Sequence, residues 1–312
     1  MTTGGAPNFS ELAAGHGIEL DTGDGALLHT GAGDADFYSA LGRDKAGQYW
    51  VLRAPRRGDV LKSARYESTV LKFARLRLSV AVPDWKIHTD KLIAYRMLPG
   101  LPAAEQDPLM GELIWRVPKD NPPPAFLDSL ADTMVQLHSI GVEEATDAGI
   151  RALTAEQARQ QMKTNMDETN ALSPVPEILW KLWERWIYDD SFWPKATGLV
   201  HGDLYHTNIF VSPDFKVVGL EDWADAQVTD VASDFALYFT THGREMMEDL
   251  ILRYARAGGH AWPRMADQAE MYYWASPVRF AMSATKTGDL GQLMGVKGVL
   301  SRYASMLEDS GL

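Results

Sequence analysis

The chain has 312 residues and a mass of 34.6 kDa, enough for one large domain or two smaller ones with a sizeable core. Hydrophobic residues make up 46% and charged residues 23%, which excludes a disordered chain or a fibrous repeat. The net charge is -12, from 42 Asp and Glu against 30 Lys and Arg. Such a surface does not suit nucleic acid, whose phosphates require a basic footprint, and it favours a small cationic substrate.

Cysteine is absent, and this excludes disulfides, thiolate catalysis and zinc–thiolate sites. Residues 1–17 lack a basic stretch followed by an apolar core, so we do not expect them to be a secretory signal. No apolar run approaches the length of about 18 residues that would span a membrane. We therefore expect a cytoplasmic protein with no membrane partner.

The first third of the chain has the pattern of a small β-rich lobe. Residues 18–54 contain three short β-prone runs broken by Gly and Asp, which are ALLHTGAGD (residues 26–34), DFYSALGRD and QYWVLRA. This pattern is typical of a three-stranded antiparallel meander. From residue 59 to about 78 the apolar spacing becomes helical, and the strand-like runs DWKIHT and KLIAYRML follow.

The pattern changes near residue 99. Residues 99–125 are rich in proline, and helical patterns dominate beyond them. We therefore predict an α+β fold with two domains: a small β-rich N-terminal lobe, residues 1–98, and a larger, mainly helical C-terminal lobe, residues 99–312.

The strongest functional signal is the motif LVHGDLYHTNIFV at residues 199–211. Two β-prone runs flank a tight turn, which places His201–Thr207 on a loop between short strands. Asp203 and Asn208 are five residues apart, the spacing that kinase-like phosphotransferases use for a catalytic Asp and a metal-binding Asn.

A second run, FKVVGLEDW, ends in the carboxylate of Asp222. Phosphoryl transfer needs one carboxylate to orient and deprotonate the attacking hydroxyl group, and oxygen ligands that hold Mg²⁺ on the nucleotide phosphates. Asp203, Asn208 and Asp222 supply that set. Taken singly, each is more often structural, as a loop residue or a turn cap, but their ordered combination favours catalysis.

The first lobe offers an independent indication. Glu67 lies on the apolar stripe of the predicted helix, where an unpaired carboxylate would cost several kcal/mol of desolvation. Arg53, at the end of the strand QYWVLRA, is the predicted partner, in the place where kinase-like folds keep a Lys that bridges a helix Glu and the phosphates. Arg fills this role through forked hydrogen bonds. A plain surface ion pair is the alternative.

The segment HTGAGDADF contains Gly31 and Gly33 where a phosphate-covering loop belongs. It lacks the full GxGxxG pattern, so we interpret it either as a turn that approaches the nucleotide or as an ordinary turn.

Four segments together resemble the macrolide 2'-phosphotransferases, a family related to the aminoglycoside phosphotransferases of the protein-kinase-like superfamily. They are WVLRAPRRGD, AVPDWKIHTDKLIAYRMLPG, LVHGDLYHTNIFV and GLEDWADAQVTDVASDFA. The resemblance runs from about residue 9 to the C-terminus. It implies a bilobal kinase-like fold, Mg²⁺, and a nucleoside triphosphate donor, with GTP typical of the family and ATP possible. The acceptor it implies is the 2'-hydroxyl of a macrolide amino sugar.

Site residues carried over from the resemblance form one set. Asp203 is the expected catalytic base, and buried Asp234 is expected to accept hydrogen bonds from the backbone of the catalytic loop. The others bind nucleotide or metal: Asn208 and Asp222 for Mg²⁺, Arg53 and Glu67 for the phosphates, Gly31 and Gly33 in the covering loop, and Tyr95, Met97 and Leu98 in a hinge whose backbone binds the base.

The acceptor pocket is expected in the helical lobe. The segment MYYWASPVRFAM offers Tyr272, Trp274 and Phe280 as an aromatic wall for the apolar macrolactone ring, beside which Asp203 and Asp225 would meet the cationic amine. Aromatics at helical spacing are more often plain core, and Asp225 is equally compatible with a solvated turn.

Three alternatives to a macrolide kinase stay open at this point. A kinase of the same superfamily would act on an aminoglycoside, an amino alcohol or a sugar. A pseudokinase would bind nucleotide and act through a partner, although the intact set Asp203, Asn208 and Asp222 argues against it. A structural module would leave the predicted burial of Glu67 unexplained.

Overall fold

The structure is a computed structural model that describes residues 7–21, 36–107, 110–288 and 290–310. Contacts divide the chain into two compact units. The first comprises the described residues within Met1–Leu137, Ala148–Ile150 and Asp203–Ala226, and the second those within His138–Asp147, Arg151–Gly202 and Gln227–Leu312. The boundary between residues 98 and 99 stays a prediction.

The helices and strands alternate irregularly along the chain. In chain order they are α1 (Phe9–Ala14), β1 (Ile18–Leu20), β2 (Phe37–Asp44), β3 (Tyr49–Pro55), α2 (Val60–Ala74), β4 (Ile87–His88), β5 (Ile93–Arg96), β6 (Leu101–Pro102), β7 (Ala104–Gln106), β8 (Leu113–Trp115), α3 (Pro124–His138), α4 (Val142–Asp147), α5 (Ala155–Leu172), α6 (Glu177–Tyr188), β9 (Gly198–Val200), β10 (Ile209–Val211), β11 (Val217–Leu220), β12 (Gln227–Thr229), α7 (Ser233–Arg256), α8 (Met265–Trp274), α9 (Ser276–Thr287) and α10 (Leu290–Ser310). Among the described residues, every helix is too short or too polar to cross a membrane.

Five strands of the first unit form an antiparallel sheet in the order β1, β2, β3, β5, β4. Trp50, Leu52 and Ala54 of β3 alternate with more exposed neighbours, as the period of two along a strand requires. The second and third strands of the predicted meander are confirmed as β2 and β3. The first falls on residues 26–34, outside the described residues, while β1 pairs with the end of β2.

Helix α2 packs on this sheet. Val60 and Ala64 of the helix contact Phe37, Ile93 and Tyr95 of the strands in one buried cluster. The predicted helix is confirmed, but it ends at Ala74 and not near residue 78. The two strand-like runs that follow are confirmed as the short strands β4 and β5.

A second sheet of the first unit positions the motif residues. It has the order β11, β10, β6, and Ile209 at the start of β10 lies opposite Leu220 at the end of β11. Because the two strands are antiparallel, the residues just before β10 and just after β11 meet at one edge of the sheet.

The second unit is mainly helical and has a core rich in tryptophan. Trp183 and Trp186 of α6 are fully buried against residues of α8, α9 and α10. Its strands β9 and β12 pair antiparallel. Gly198 starts β9 so close to α3 that a Cβ there would lie 2.1 Å from the carbonyl oxygen of His138. The sheets and helices together confirm the predicted α+β class.

Candidate active site

The loop between β9 and β10 is folded by its own hydrogen bonds. The carbonyl oxygen of Asp203 accepts from the N–H of Tyr205 at 2.8 Å, and the carbonyl oxygen of Tyr205 accepts from the N–H of Asn208 at 2.9 Å. The side-chain amide of Asn208 then donates to the Asp203 carbonyl oxygen at 2.9 Å and to its carboxylate Oδ2 at 3.0 Å. The predicted loop is confirmed, and it brings Asp203 and Asn208 together.

Asp234 holds the first two residues of this loop. Its carboxylate, in the first turn of α7, accepts from the backbone N–H of His201 at 2.8 Å and of Gly202 at 2.9 Å. This confirms the expected contact with the loop backbone. Burial alone would raise the pKa of the Asp234 carboxyl group, but hydrogen bonding to His138, which lies 3.1 Å away, helps to hold that pKa below its usual value.

His138 was not among the predicted site residues. Its ring lies between the Asp234 carboxylate and the hydroxyl group of Tyr254, which is 3.2 Å from Nδ1. The ring is almost fully buried, at the end of the apolar helix α3. A polar side chain at the end of an apolar run was the available signal.

Asp222 follows β11 in an unusual backbone conformation. Its φ is 62°, and Phe215 is the only other non-glycine residue with a positive φ among those described. The left-handed conformation costs roughly 1–2 kcal/mol for most residues and is better tolerated by Asp and Asn. Glu221 precedes it, and its N–H donates to the Asn208 carbonyl oxygen at 2.9 Å. The edge of the β10–β11 pair therefore brings the segment of Asp222 beside the loop of Asp203.

Arg53 and Glu67 form the predicted ion pair. The Arg53 Nη1 atom of β3 lies 3.7 Å from Oε1 of Glu67 in α2, and the Arg53 guanidinium lies over the Phe37 ring, 4.1 Å from its centroid. The Glu67 carboxylate is 2% exposed and accepts from the N–H of Trp223 at 3.4 Å. Burial raises the pKa of Glu67 to about 7 although Arg53 lowers it, and the neighbouring carboxylate of Asp222 raises it further.

The predicted hinge has a mixed structure. The Tyr95 side chain is buried, and its hydroxyl group donates to Oε1 of Glu221 at 2.6 Å. Burial raises the pKa of the Tyr95 phenol well above its ordinary value, so the hydroxyl group stays protonated. The N–H of Met97 donates to the Tyr49 carbonyl oxygen at 3.1 Å. The carbonyl group of Met97 and the N–H of Leu98 have no hydrogen-bond partner among the described residues.

Gly31 and Gly33 lie outside the described residues. Asp225 is exposed in the first unit, three residues after Asp222.

Three predicted acceptor residues belong to the second unit. The hydroxyl group of Tyr272 donates to Oδ2 of buried Asp230 at 3.0 Å, and the indole N–H of Trp274 donates to Glu270 at 3.3 Å. Phe280 is 51% exposed. Tyr272 and Trp274 pack against the tryptophan-rich core, so their role towards an acceptor stays a prediction.

Comparisons with known proteins identify the family. Residues 30–267 match the phosphotransferase enzyme family, APH. The chain is 33% identical to the solved structure of a macrolide 2'-phosphotransferase type I, with a TM-score of 0.85, and the match covers 96% of this chain and 98% of that one. The macrolide 2'-phosphotransferase MphH of Brachybacterium faecium, solved as the apoenzyme, is also 33% identical, with a TM-score of 0.83 and coverage of 94% and 96%.

A protein of Bacillus subtilis (strain 168), the uncharacterized protein YcbJ, is 37% identical over 276 residues, which is 88% of this chain and 89% of that protein. The chain belongs to the phosphotransferase enzyme family. It is a phosphotransferase that acts on a hydroxyl group, and its α+β fold is the kinase-like fold of that family.

Proposed function

We propose that the chain transfers the γ-phosphoryl group of GTP to the 2'-hydroxyl group of a macrolide amino sugar. The observation that carries this proposal is the meeting of the Asp203 loop and the Asp222 segment at one edge of the β10–β11 pair. The choice of acceptor is supported by the resemblance to macrolide 2'-phosphotransferases along nearly the whole chain.

Asp203 is the proposed catalytic base. Because the amide of Asn208 holds one of its carboxylate oxygens and also its carbonyl oxygen, the carboxylate is fixed before an acceptor binds. An acceptor hydroxyl group that donates to this carboxylate is oriented for attack on the γ-phosphorus. Its proton passes to Asp203 as the new O–P bond forms and the bond from the γ-phosphorus to the β,γ-bridging oxygen breaks, which releases GDP.

Asn208 and Asp222 are the proposed ligands of Mg²⁺. The Asn208 amide nitrogen faces Asp203, and its Oδ1, which accepts a long hydrogen bond of 3.5 Å from the Thr207 hydroxyl group, is the atom proposed to bind the metal. Asp222 supplies a carboxylate. Among the described residues, no group of three His, Cys, Asp or Glu side chains would hold a metal ion. The pair Asn208 and Asp222 fits Mg²⁺, because proteins bind this ion through one or two carboxylates together with the substrate phosphates. Bound there, the ion would neutralise charge on the β- and γ-phosphates.

Arg53 is the proposed contact to the nucleotide phosphates, and Glu67 and the Phe37 ring hold its guanidinium group. The carbonyl group of Met97 and the N–H of Leu98 are the main-chain groups left to bind the base. GTP as the preferred donor follows from the family resemblance, with ATP as the alternative.

The amino sugar of a macrolide carries a dimethylamino group, cationic at neutral pH, next to the hydroxyl group to be phosphorylated. Asp203 would face this cation, with Asp225 as the second acid. Tyr272, Trp274 and Phe280 are the proposed contacts of the macrolactone ring. The net charge of -12 adds a weak attraction for the cation, screened within about 8 Å at physiological salt.

A single incubation tests the reaction, donor and acceptor. The protein is mixed with Mg²⁺ and either GTP or ATP, with erythromycin or kanamycin as acceptor, and the products are analysed by mass spectrometry. We expect one added phosphate on erythromycin, formed faster with GTP than with ATP, and formed about 10²-fold or more slowly by the control variant Asp203→Asn. Phosphorylation of kanamycin but not of erythromycin would identify an aminoglycoside as the acceptor. Transfer to neither acceptor would contradict the proposal.

A further inference from the structure

The segment of residues 221–226, between β11 and β12, carries Asp222 but is not a regular strand or helix. Asp222 has a positive φ within it, a conformation that persists only where surrounding contacts hold it. The contacts at the two ends of the segment therefore determine whether Asp222 keeps this conformation.

A tyrosine hydroxyl group holds the first residue of the segment. The Tyr95 hydroxyl group, at the end of a buried side chain of β5, donates to the Glu221 carboxylate at 2.6 Å. The distance is at the short end of the range for a hydrogen bond between a hydroxyl group and an oxygen acceptor. The backbone N–H of Glu221 is bound to Asn208, so the Tyr95 contact fixes the side chain of a residue whose main chain already joins the Asp203 loop.

A second tyrosine holds the last residue. The hydroxyl group of Tyr66, in α2, donates to the carbonyl oxygen of Ala226 at 2.6 Å. Between the two ends, the N–H of Trp223 points to the carboxylate of Glu67, the neighbour of Tyr66, and the Trp223 indole donates to the carbonyl oxygen of Leu220 at 3.0 Å. Helix α2 therefore contacts the segment at two points and β5 contacts it at a third.

We propose that the hydroxyl groups of Tyr95 and Tyr66 are positioning groups that hold the 221–226 segment in the conformation that directs Asp222 towards Mg²⁺ and the nucleotide. The proposal rests on the metal-binding role proposed for Asp222. Tyr95 then has two roles. Its backbone belongs to the hinge proposed to bind the base, and its side chain holds the segment that carries Asp222, the proposed metal ligand. Both tyrosines are positioning residues and do not touch the reacting atoms.

Three matched variants test the proposal. Tyr95→Phe and Tyr66→Phe each remove one hydroxyl group and keep the ring. Tyr38→Phe is the control, because the Tyr38 ring lies over Arg56 and its hydroxyl group has no hydrogen-bond partner in the described part of the chain. Amide hydrogen exchange of the 221–226 segment is measured by mass spectrometry without Mg²⁺ or nucleotide, and the Mg²⁺ dependence of GDP binding is measured separately.

We expect faster exchange of the segment in Tyr95→Phe and Tyr66→Phe. The Mg²⁺ concentration that supports GDP binding should rise roughly tenfold in Tyr95→Phe, which loses a hydrogen bond to a carboxylate, and roughly fivefold in Tyr66→Phe, whose acceptor is a neutral carbonyl group. The control should match the wild type in both measurements. Exchange equal to the wild type in both variants would overturn the proposal, and so would faster exchange with an unchanged Mg²⁺ dependence.

One further single variant separates this proposal from the metal-binding role on which it rests. Asp222→Asn should weaken Mg²⁺-dependent GDP binding whatever the tyrosines do, so an unchanged titration in that variant counts against the metal role of Asp222 itself. Glu221→Ala removes the same hydrogen bond as Tyr95→Phe by changing its acceptor. Glu221 is partly exposed, so this substitution alters no buried side chain. We expect the double variant Tyr95→Phe, Glu221→Ala to behave like Glu221→Ala alone, and fully additive effects would refute the coupling.

Discussion

Glu67→Gln replaces a titrating carboxyl group by an amide. The difference between this variant and the wild type therefore gives the contribution of Glu67 to the pH dependence of the unfolding free energy. Glu67 is buried in α2, and burial raises its pKa from 4.5 to about 7 in the absence of Mg²⁺ and nucleotide. The unfolded chain releases this proton near its ordinary pKa of 4.5, whereas the folded chain keeps it up to about pH 7. Between these two values the folded state binds more protons, so the contribution of Glu67 to stability falls as the pH rises.

The expected size follows from the difference between the two pKa values. Each pKa unit corresponds to about 1.4 kcal/mol, so Glu67 costs the wild type about 3 kcal/mol between pH 4 and pH 8. Glu67→Gln has no such titration. The variant also changes the partner of Arg53, but that effect is a constant offset, because the guanidinium group stays charged throughout this range.

The assay is urea unfolding of the wild type and Glu67→Gln at several pH values from 4 to 8, without Mg²⁺ or nucleotide. Glu168→Gln, at an exposed position of α5, is the matched control. We expect the wild type to lose about 3 kcal/mol of unfolding free energy relative to Glu67→Gln as the pH rises, while the control stays parallel to the wild type. A difference between wild type and Glu67→Gln that does not change with pH would refute the reasoning.

Three other predictions follow from the site. Asp203→Asn should lower kcat about 10²-fold or more with a nearly unchanged KM for the nucleotide, as steady-state kinetics would show, and near-normal turnover would contradict its role as base. Asp234→Asn places an amide donor against backbone N–H groups, so the free energy of unfolding should fall by about 3 kcal/mol in urea titrations, and an unchanged midpoint would contradict this account. Asp225→Asn should raise KM for the macrolide more than for GTP, and Trp274→Ala should discriminate among macrolides of different ring size. Unchanged macrolide KM values in both variants would place the acceptor site elsewhere.

The parts of the site that could be predicted from the sequence are those set by local spacing. Asp203 and Asn208 are five residues apart, and the turn between them closes through its own backbone, so their contact follows from the loop alone. Arg53 and Glu67 could be paired because a carboxylate on an apolar helical stripe requires a cation nearby.

Contacts between distant residues could not be predicted in this way. Tyr95 and Glu221 are 126 residues apart, and His138 and Asp234 are 96 apart. A tyrosine in a strand-like run has the same sequence pattern whether its hydroxyl group binds a carboxylate or water. Only the packing of separate elements decides which partner it finds, and the same holds for a histidine at the end of an apolar helix.

The register of β10 and β11 decides whether the motif residues form a site at all. With Ile209 opposite Leu220, the residue before β10 and the residue after β11 meet, and the backbone of Glu221 binds that of Asn208. Moving β11 by one residue would break this bond and reverse the faces of its side chains. In β11 the side chain of Val217 is buried and that of Val218 is half-buried, so such a shift would exchange their environments and move a buried side chain out of the core. The apolar residues beside the motif, and not only its acids, therefore determine where Asp222 lies.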